Sequence, residues 1–176
     1  NGGISGQTST QMLSRESNSV SVSRKSVADV LAQYPEVIFC SIGINNLATV
    51  TAGTYSAVLA TLKSEARTLI AKLLSGGALV VDHGAIGYSA VNANADLIRQ
   101  GVLEYNAYLA SDMVAEFGAA GFTFVSVQGA VHDATGAFMT GMSIDGVHPS
   151  ALGSLTCDRL RATALGTKYG NPAGRL

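Results

Sequence analysis

The sequence is short of charge. Lys, Arg, Asp and Glu make up 13% of its 176 residues and sum to a net charge of −1, against about a quarter charged in ordinary globular chains. That balance gives no electrostatic footprint for nucleic acid or an anionic membrane surface. Two cysteines are too few for a disulfide framework. Cys40 falls in an apolar run and Cys157 in a helical stretch, positions that suit buried free thiols. No apolar run approaches the roughly 20 residues of a membrane span. Neither H-E-x-x-H nor a short C-x-x-C pair occurs, so no metal site and no cofactor are expected.

What fills the gap is Ser, Thr, Ala and Gly, on a chain that is 47% hydrophobic, enough for one domain with a real core. This uncharged, hydroxyl-rich composition sets the expectation of a secreted, periplasmic or virion-associated protein.

Hydrophobic spacing orders the chain. Thr8 or Ser9 caps a helix through Met12 and Leu13, and the Ser-rich residues 14–24 read as an exposed loop. Val27, Val30, Leu31 and Tyr34 restore helical spacing before Pro35 stops it. The run from Val37 to Ile42, bounded by Pro35 and Gly43, has the pattern of a buried parallel strand. Residues 54–74 form an amphipathic helix, and Ala78 to Asp82 a second buried strand. A single long helix is expected over 93–118, with Ile98, Val102, Tyr105, Leu109, Met113 and Phe117 on its buried stripe. A strand over 122–127, a loop from Gln128 and a helix over 150–165 complete the order. Alternating helices and strands of this kind predict an α/β fold with a parallel sheet. Residues 167–176 read as an undocked tail.

Chemistry concentrates in Ser143-Ile144-Asp145-Gly146-Val147-His148-Pro149-Ser150. A histidine acting as general base needs a carboxylate to fix its tautomer and stabilise the imidazolium. Asp145 is close enough in sequence for one turn of backbone to supply it. Pro149 keeps His148 out of the helical region, and Ser150 suits the cap of the helix that follows. Taken alone, a D-x-x-H pair is equally a surface imidazole beside an acid. By the same token Asn45, after the first strand, is equally a turn-former, and Gly6 a permissive loop residue.

Three separated stretches together resemble the SGNH hydrolases, the GDSL esterase/lipase superfamily. Asn1 to Thr8 is similar to the family's second block, with Gly6 at the oxyanion-hole glycine. Gly43-Ile44-Asn45-Asn46 is similar to its G-x-N-D block, with Asn45 at the oxyanion-hole asparagine and Asn46 where most members have Asp. Asp145-Gly146-Val147-His148-Pro149 matches its D-x-x-H block, and Tyr105-Asn106 sits where many members carry a similar pair. The resemblance implies a three-layer α/β/α sandwich of SGNH or flavodoxin-like type. Residues 1–166 would be the C-terminal portion of a single domain whose first strands lie outside this chain. It implies a serine ester hydrolase for small acyl esters, such as acetyl groups on carbohydrate, with Asp145 and His148 as two members of the triad. Gly6 and Asn45 would be oxyanion donors.

The family's block with the nucleophilic serine has no counterpart in residues 1–176. A preceding segment is therefore expected to carry it, and the 37–42 strand is expected to show an unpaired edge with apolar side chains uncovered. A non-catalytic carbohydrate-binding or structural module is the alternative, and thioesterase or lysophospholipase activity would use the same machinery. A zinc site from Asp82, His83, Asp133 and His148 matches no zinc spacing; His83 and His132 are read as rim or solvent-facing residues. Tyr88 and Phe138 are candidate walls of an acyl or sugar pocket.

Overall fold

A computed structural model describes residues 7–14 and 26–169. Gly6, most of the Ser-rich stretch and residues 170–176 lie outside the described residues. The chain opens with two short helices, each with a capping box. In α1 (Ser9–Ser14), Thr8 Oγ1 accepts from the Gln11 amide while Gln11 Oε1 accepts from the Thr8 amide. In α2 (Val27–Leu31), Ser26 and Asp29 make the same reciprocal pair.

Three strands, β1 (Val37–Cys40), β2 (Leu79–Asp82) and β3 (Phe122–Phe124), form a parallel sheet in that spatial order. Their register sorts side chains between two faces. Ile38, Val80 and Phe122 stand in one row, and Cys40, Asp82 and Phe124 in the next row of the same face. That face meets α4 (Tyr55–Ser75) and α5 (Ala95–Tyr108) in a core that includes Leu62, Leu69, Ile98, Val102 and Tyr105. The row of Phe39, Val81 and Thr123 faces the other way. It is covered by α7 (Ala151–Tyr169): the Arg161 guanidinium lies 5.4 Å from the centre of the Phe39 ring, and Lys168 Nζ donates to Thr123 Oγ1 at 3.0 Å. Helices on both faces make the expected α/β/α layers. Both cysteines are buried free thiols.

Among the described strands β1 pairs only with β2, and Phe39 is 51% exposed.

Four boundaries differ from the sequence reading. β1 and β3 end at Cys40 and Phe124, level with the end of β2 at Asp82, because a parallel ladder stops where its central strand does. The stretch expected as one helix is α5, a π-helical turn at Leu109–Met113, and α6 (Val114–Phe117). Its apolar stripe steps by four residues three times from Tyr105 to Phe117, and each such step over-rotates an α-helix by about 40°. The wider π turn absorbs that drift and keeps Leu109 and Met113 buried. Finally, α7 runs to Tyr169 rather than ending near Gly166. Lys168 holds its last turn down by donating also to the carbonyls of Gly118 and Phe122.

Candidate active site

The loop after β1 turns sharply at Gly43, whose φ is +121°. A Cβ here would stand 2.8 Å from the Tyr105 ring, so only glycine lets α5 approach this turn. The short helix α3 (Ile44–Leu47) follows and presents two asparagines to the N-terminal segment. Asn45 Nδ2 donates to the Gln7 carbonyl at 3.0 Å. Asn46, buried, accepts from the Ser9 amide through Oδ1 at 3.0 Å and donates to Ser9 Oγ at 2.8 Å. Ser9 Oγ in turn donates to Glu65 Oε2 at 2.6 Å. Position 46 therefore supports the local loop, and the amide suits it. With Glu65 already taking the serine's only proton, the residue at 46 must itself be a donor.

The Asp145–His148 turn comes just before α7. Ser150 caps that helix by accepting from the Gly153 amide at 3.1 Å, and His148 is left in the turn as Pro149 requires. His148 Nδ1 and Asp145 Oδ2 are 2.7 Å apart. Asp145 Oδ1 accepts from the amides of His148 at 2.7 Å and Val147 at 2.9 Å. The His148 amide, the His148 ring and the Val147 amide, in that order, hold the Asp145 carboxyl down to about 2. An ionised carboxylate only accepts, so the proton of the neutral imidazole sits on Nδ1. Nε2 is left with a lone pair on a side chain that is 63% exposed. The sequence-proposed pair is thus brought together with the tautomer that a general base needs.

The turn is tied to the loop after β2. The Gly146 carbonyl accepts from the amides of Ser89 at 2.7 Å and Ala90 at 3.2 Å. Ser89 Oγ accepts from the Phe138 amide at 2.7 Å. Asn106 pins the start of the same loop, accepting from the Ala85 amide and donating to the Ala85 carbonyl. Sequence reasoning passed over Ser89 and the Ser9–Glu65 contact; isolated serines in Ser-rich surroundings carry no spacing signal.

Other expectations are corrected. His83 and His132 are buried, not at the rim or in solvent. Each ring satisfies Nδ1 on a neighbouring carbonyl, Gly84 and Asp133 respectively, at 3.0 Å. Burial pushes the His83 imidazole down to about 4, with Arg161 adding to the effect. Burial pushes the Asp82 carboxyl up to about 6, against the pull of the Gly84 amide and Arg161. Asp133 spends Oδ1 on its own turn, accepting from Thr135 and Ala137. Among the described residues no three His, Cys, Asp or Glu side chains converge as a ligand set for a metal. Tyr88 is buried with its hydroxyl accepting from Asn92; Phe138 is partly buried against the cluster of Ile86, Val127, Val131 and Cys157. A cavity of about 630 Å³, lined in part by Leu103, Asn106, Val114, Phe124 and His132, lies beside β3. Asn45, Asp145 and His148 do not line it.

A parallel α/β sandwich with an acid–histidine turn leading into its last helix is the architecture of SGNH-type hydrolases. A GDSL-like lipase from Bacteroides thetaiotaomicron superposes with a TM-score of 0.60 at 23% identity, over 94% of this chain and 74% of that one. A catalytic mutant of an acetylxylan esterase from Geobacillus stearothermophilus superposes with a TM-score of 0.66 at 20% identity, over 93% and 70%. The unmutated form of that esterase gives 0.62 at 19% identity, over the same shares. The chain belongs to the GDSL-like lipase/acylhydrolase family, whose family model matches residues 1–156. No curated protein sequence matches it.

Proposed function

We propose that the chain carries the acid–base half of a serine ester hydrolase. The observation that supports this most is the 2.7 Å pairing of His148 Nδ1 with an ionised Asp145, which leaves Nε2 as the proton acceptor. In this reading the nucleophilic serine comes from a segment outside residues 1–176 that seats on the open edge of β1. Nε2 takes the serine proton as Oγ bonds to the ester carbonyl carbon. The negative charge of the tetrahedral intermediate gathers on the former carbonyl oxygen, and the proton passes from Nε2 to the departing alkoxide as the C–O bond breaks. Water then attacks the acyl-enzyme, giving its proton to Nε2, and release of the acid restores the serine.

Gly6, by its amide, and Asn45 are the proposed oxyanion donors. One N–H of the Asn45 amide holds Gln7; the proposal assigns the other to the oxyanion. Removing such a donor costs about 10²–10³ in rate. The proposed substrates are small acyl esters, acetylated carbohydrate first among them, a choice supported by likeness to a fold neighbour that is an acetylxylan esterase.

The test is hydrolysis of p-nitrophenyl acetate by the full-length protein and by His148→Ala. Loss of general acid–base catalysis lowers kcat by about 10²–10⁴. Equal, measurable rates refute the general-base assignment, and no hydrolysis by the parent of acetyl, thioester or lysophospholipid substrates refutes the reading in favour of a non-catalytic module.

A further inference from the structure

The Asp145–His148 side-chain contact alone gives its geometry little support. The two side chains are 48% and 63% exposed, and an exposed ion pair contributes little on its own. The pair also sits in a four-residue turn outside any helix or strand. Its alignment depends on the backbone of the turn, which Asp145 Oδ1 holds at the Val147 and His148 amides and a second side chain spans from outside. Ser143 Oγ accepts from the Gly146 amide at 2.8 Å and donates to the His148 carbonyl at 2.7 Å. The hydroxyl thus uses both its donor and an acceptor site to bridge the middle of the turn to its last residue. The Ile144 amide meets the same His148 carbonyl at 3.1 Å, and Ser143 bridges Pro149 across the base of the turn.

We propose that Ser143 is a positioning residue: its hydroxyl clamps the Asp145–His148 turn, so that the His148 amide and ring stay in line with the two carboxylate oxygens of Asp145. The inference rests on the catalytic reading of that pair, which it deepens. Ser143 touches no reacting atom and acts through the two residues that do. Both groups it engages can be rehydrated in this exposed turn, so deleting the hydroxyl loosens geometry more than it lowers stability. A shift of about 1 Å at a catalytic group is enough to cost on the order of 10²-fold in rate.

Two readouts on the full-length protein test this. The first is the carboxyl titration of Asp145 by ¹³C NMR, which needs no activity. Ser143→Ala releases the Gly146 amide and the His148 carbonyl; the turn loosens, the His148 and Val147 amides no longer stay in line with the carboxyl they hold near 2, and its midpoint rises toward the ordinary value of about 3.9. The second is ester hydrolysis: Ser143→Ala lowers kcat by about 10- to 100-fold with KM within about twofold, while Ser143→Thr, which keeps the hydroxyl, restores both readouts. If Ser143→Ala fails to fold, Ser143→Cys, a near-isostere with a weak donor, takes its place. An unmoved Asp145 midpoint with parental kcat overturns the proposal, as does a Thr variant as impaired as Ala. Failure of the catalytic reading is separately visible: His148→Ala would retain full activity, and the titration would still decide for or against the clamp.

Discussion

The buried relay Asn46–Ser9–Glu65 supports a sharp prediction, because its polarity is set by a single proton. Ser9 Oγ accepts from Asn46 Nδ2 and donates to Glu65 Oε2. Asn46→Asp, the exchange that would bring the stretch closer to the G-x-N-D pattern, turns the donor into an acceptor. The serine proton then has two carboxylates to serve. One hydrogen bond is lost, at about 1 kcal/mol, and one buried charged oxygen faces a lone pair, at about 1–3 kcal/mol. The two carboxylate oxygens are no farther apart than the two bonds of 2.6 and 2.8 Å laid end to end, about 5.4 Å, where like charges repel by about 3 kcal/mol at an effective dielectric near 20. Exposure at Glu65 screens part of this, and a carboxylate accepts the Ser9 amide better than an amide oxygen does. The net loss expected is about 2–3 kcal/mol at pH 7, read from urea unfolding. The folded state raises the new carboxyl above its unfolded value, so the variant recovers relative to the parent as pH falls from 7 toward 4. Glu65→Gln in the same background reverses the relay: the new side-chain amide donates to Ser9 Oγ, which donates to the carboxylate introduced in place of Asn46. The double variant should regain most of the loss. An Asn46→Asp protein as stable as the parent at pH 7, or a double variant no better than the single, would refute this account.

Two further outcomes follow from neighbouring parts of the fold. Asp82 is fully buried and its carboxyl is raised to about 6, so its contribution is complete below the unfolded value of about 3.9 and is lost as pH rises through about 6. Unfolding free energy should therefore fall by up to about 3 kcal/mol between pH 4 and 8 from this group, and the pH curve of Asp82→Asn should be flatter by that amount; parallel curves would reject it. Gly146 has a φ of +83°, and a Cβ there would lie 2.5 Å from the Ala90 nitrogen, a backbone atom. Gly146→Ala should push the turn off the loop after β2, at a cost of about 2–3 kcal/mol from left-handed strain and the two amide bonds to the Gly146 carbonyl. Denaturant titration measures it, and a loss below about 0.5 kcal/mol would contradict it.

Much of the layer architecture was legible because apolar runs and their punctuation are local signals. Val37 to Cys40 between Pro35 and Gly43, and Leu79 to Asp82 after Gly76-Gly77, could be read as strands from composition alone. The Asp145–His148 pairing was legible for the same reason: three residues of backbone suffice to bring the groups together. What stayed hidden depends on partners distant in sequence. Nothing near Gly166 reports that Lys168 will bond to Gly118, Phe122 and Thr123 and carry the helix on. His83 and His132 looked exposed because imidazoles usually are. Each is buried with Nδ1 on a carbonyl one residue away, an arrangement set by loop geometry. The π turn was written in the repeated four-residue spacing from Tyr105 to Phe117, which a search for α-helical faces accepts without registering the drift.

The candidate site is assembled by loops, and its precision must be sought in how those loops bond to one another. The loop after β2 is the common member. Tyr88 bonds through its amide to the Gly136 carbonyl, Ser89 through its amide to Gly146 and through its hydroxyl to Phe138. The acid–histidine turn therefore takes its position from β2, the central strand and the one paired on both sides. Asn45 and Asn46, by contrast, extend from β1, which among the described strands pairs only with β2, and bond to Gln7 and Ser9. The two halves of the proposed machinery thus rest on supports of different completeness. Among the described residues, the general-base half rests on a strand paired on both sides and the oxyanion half on a strand paired on one.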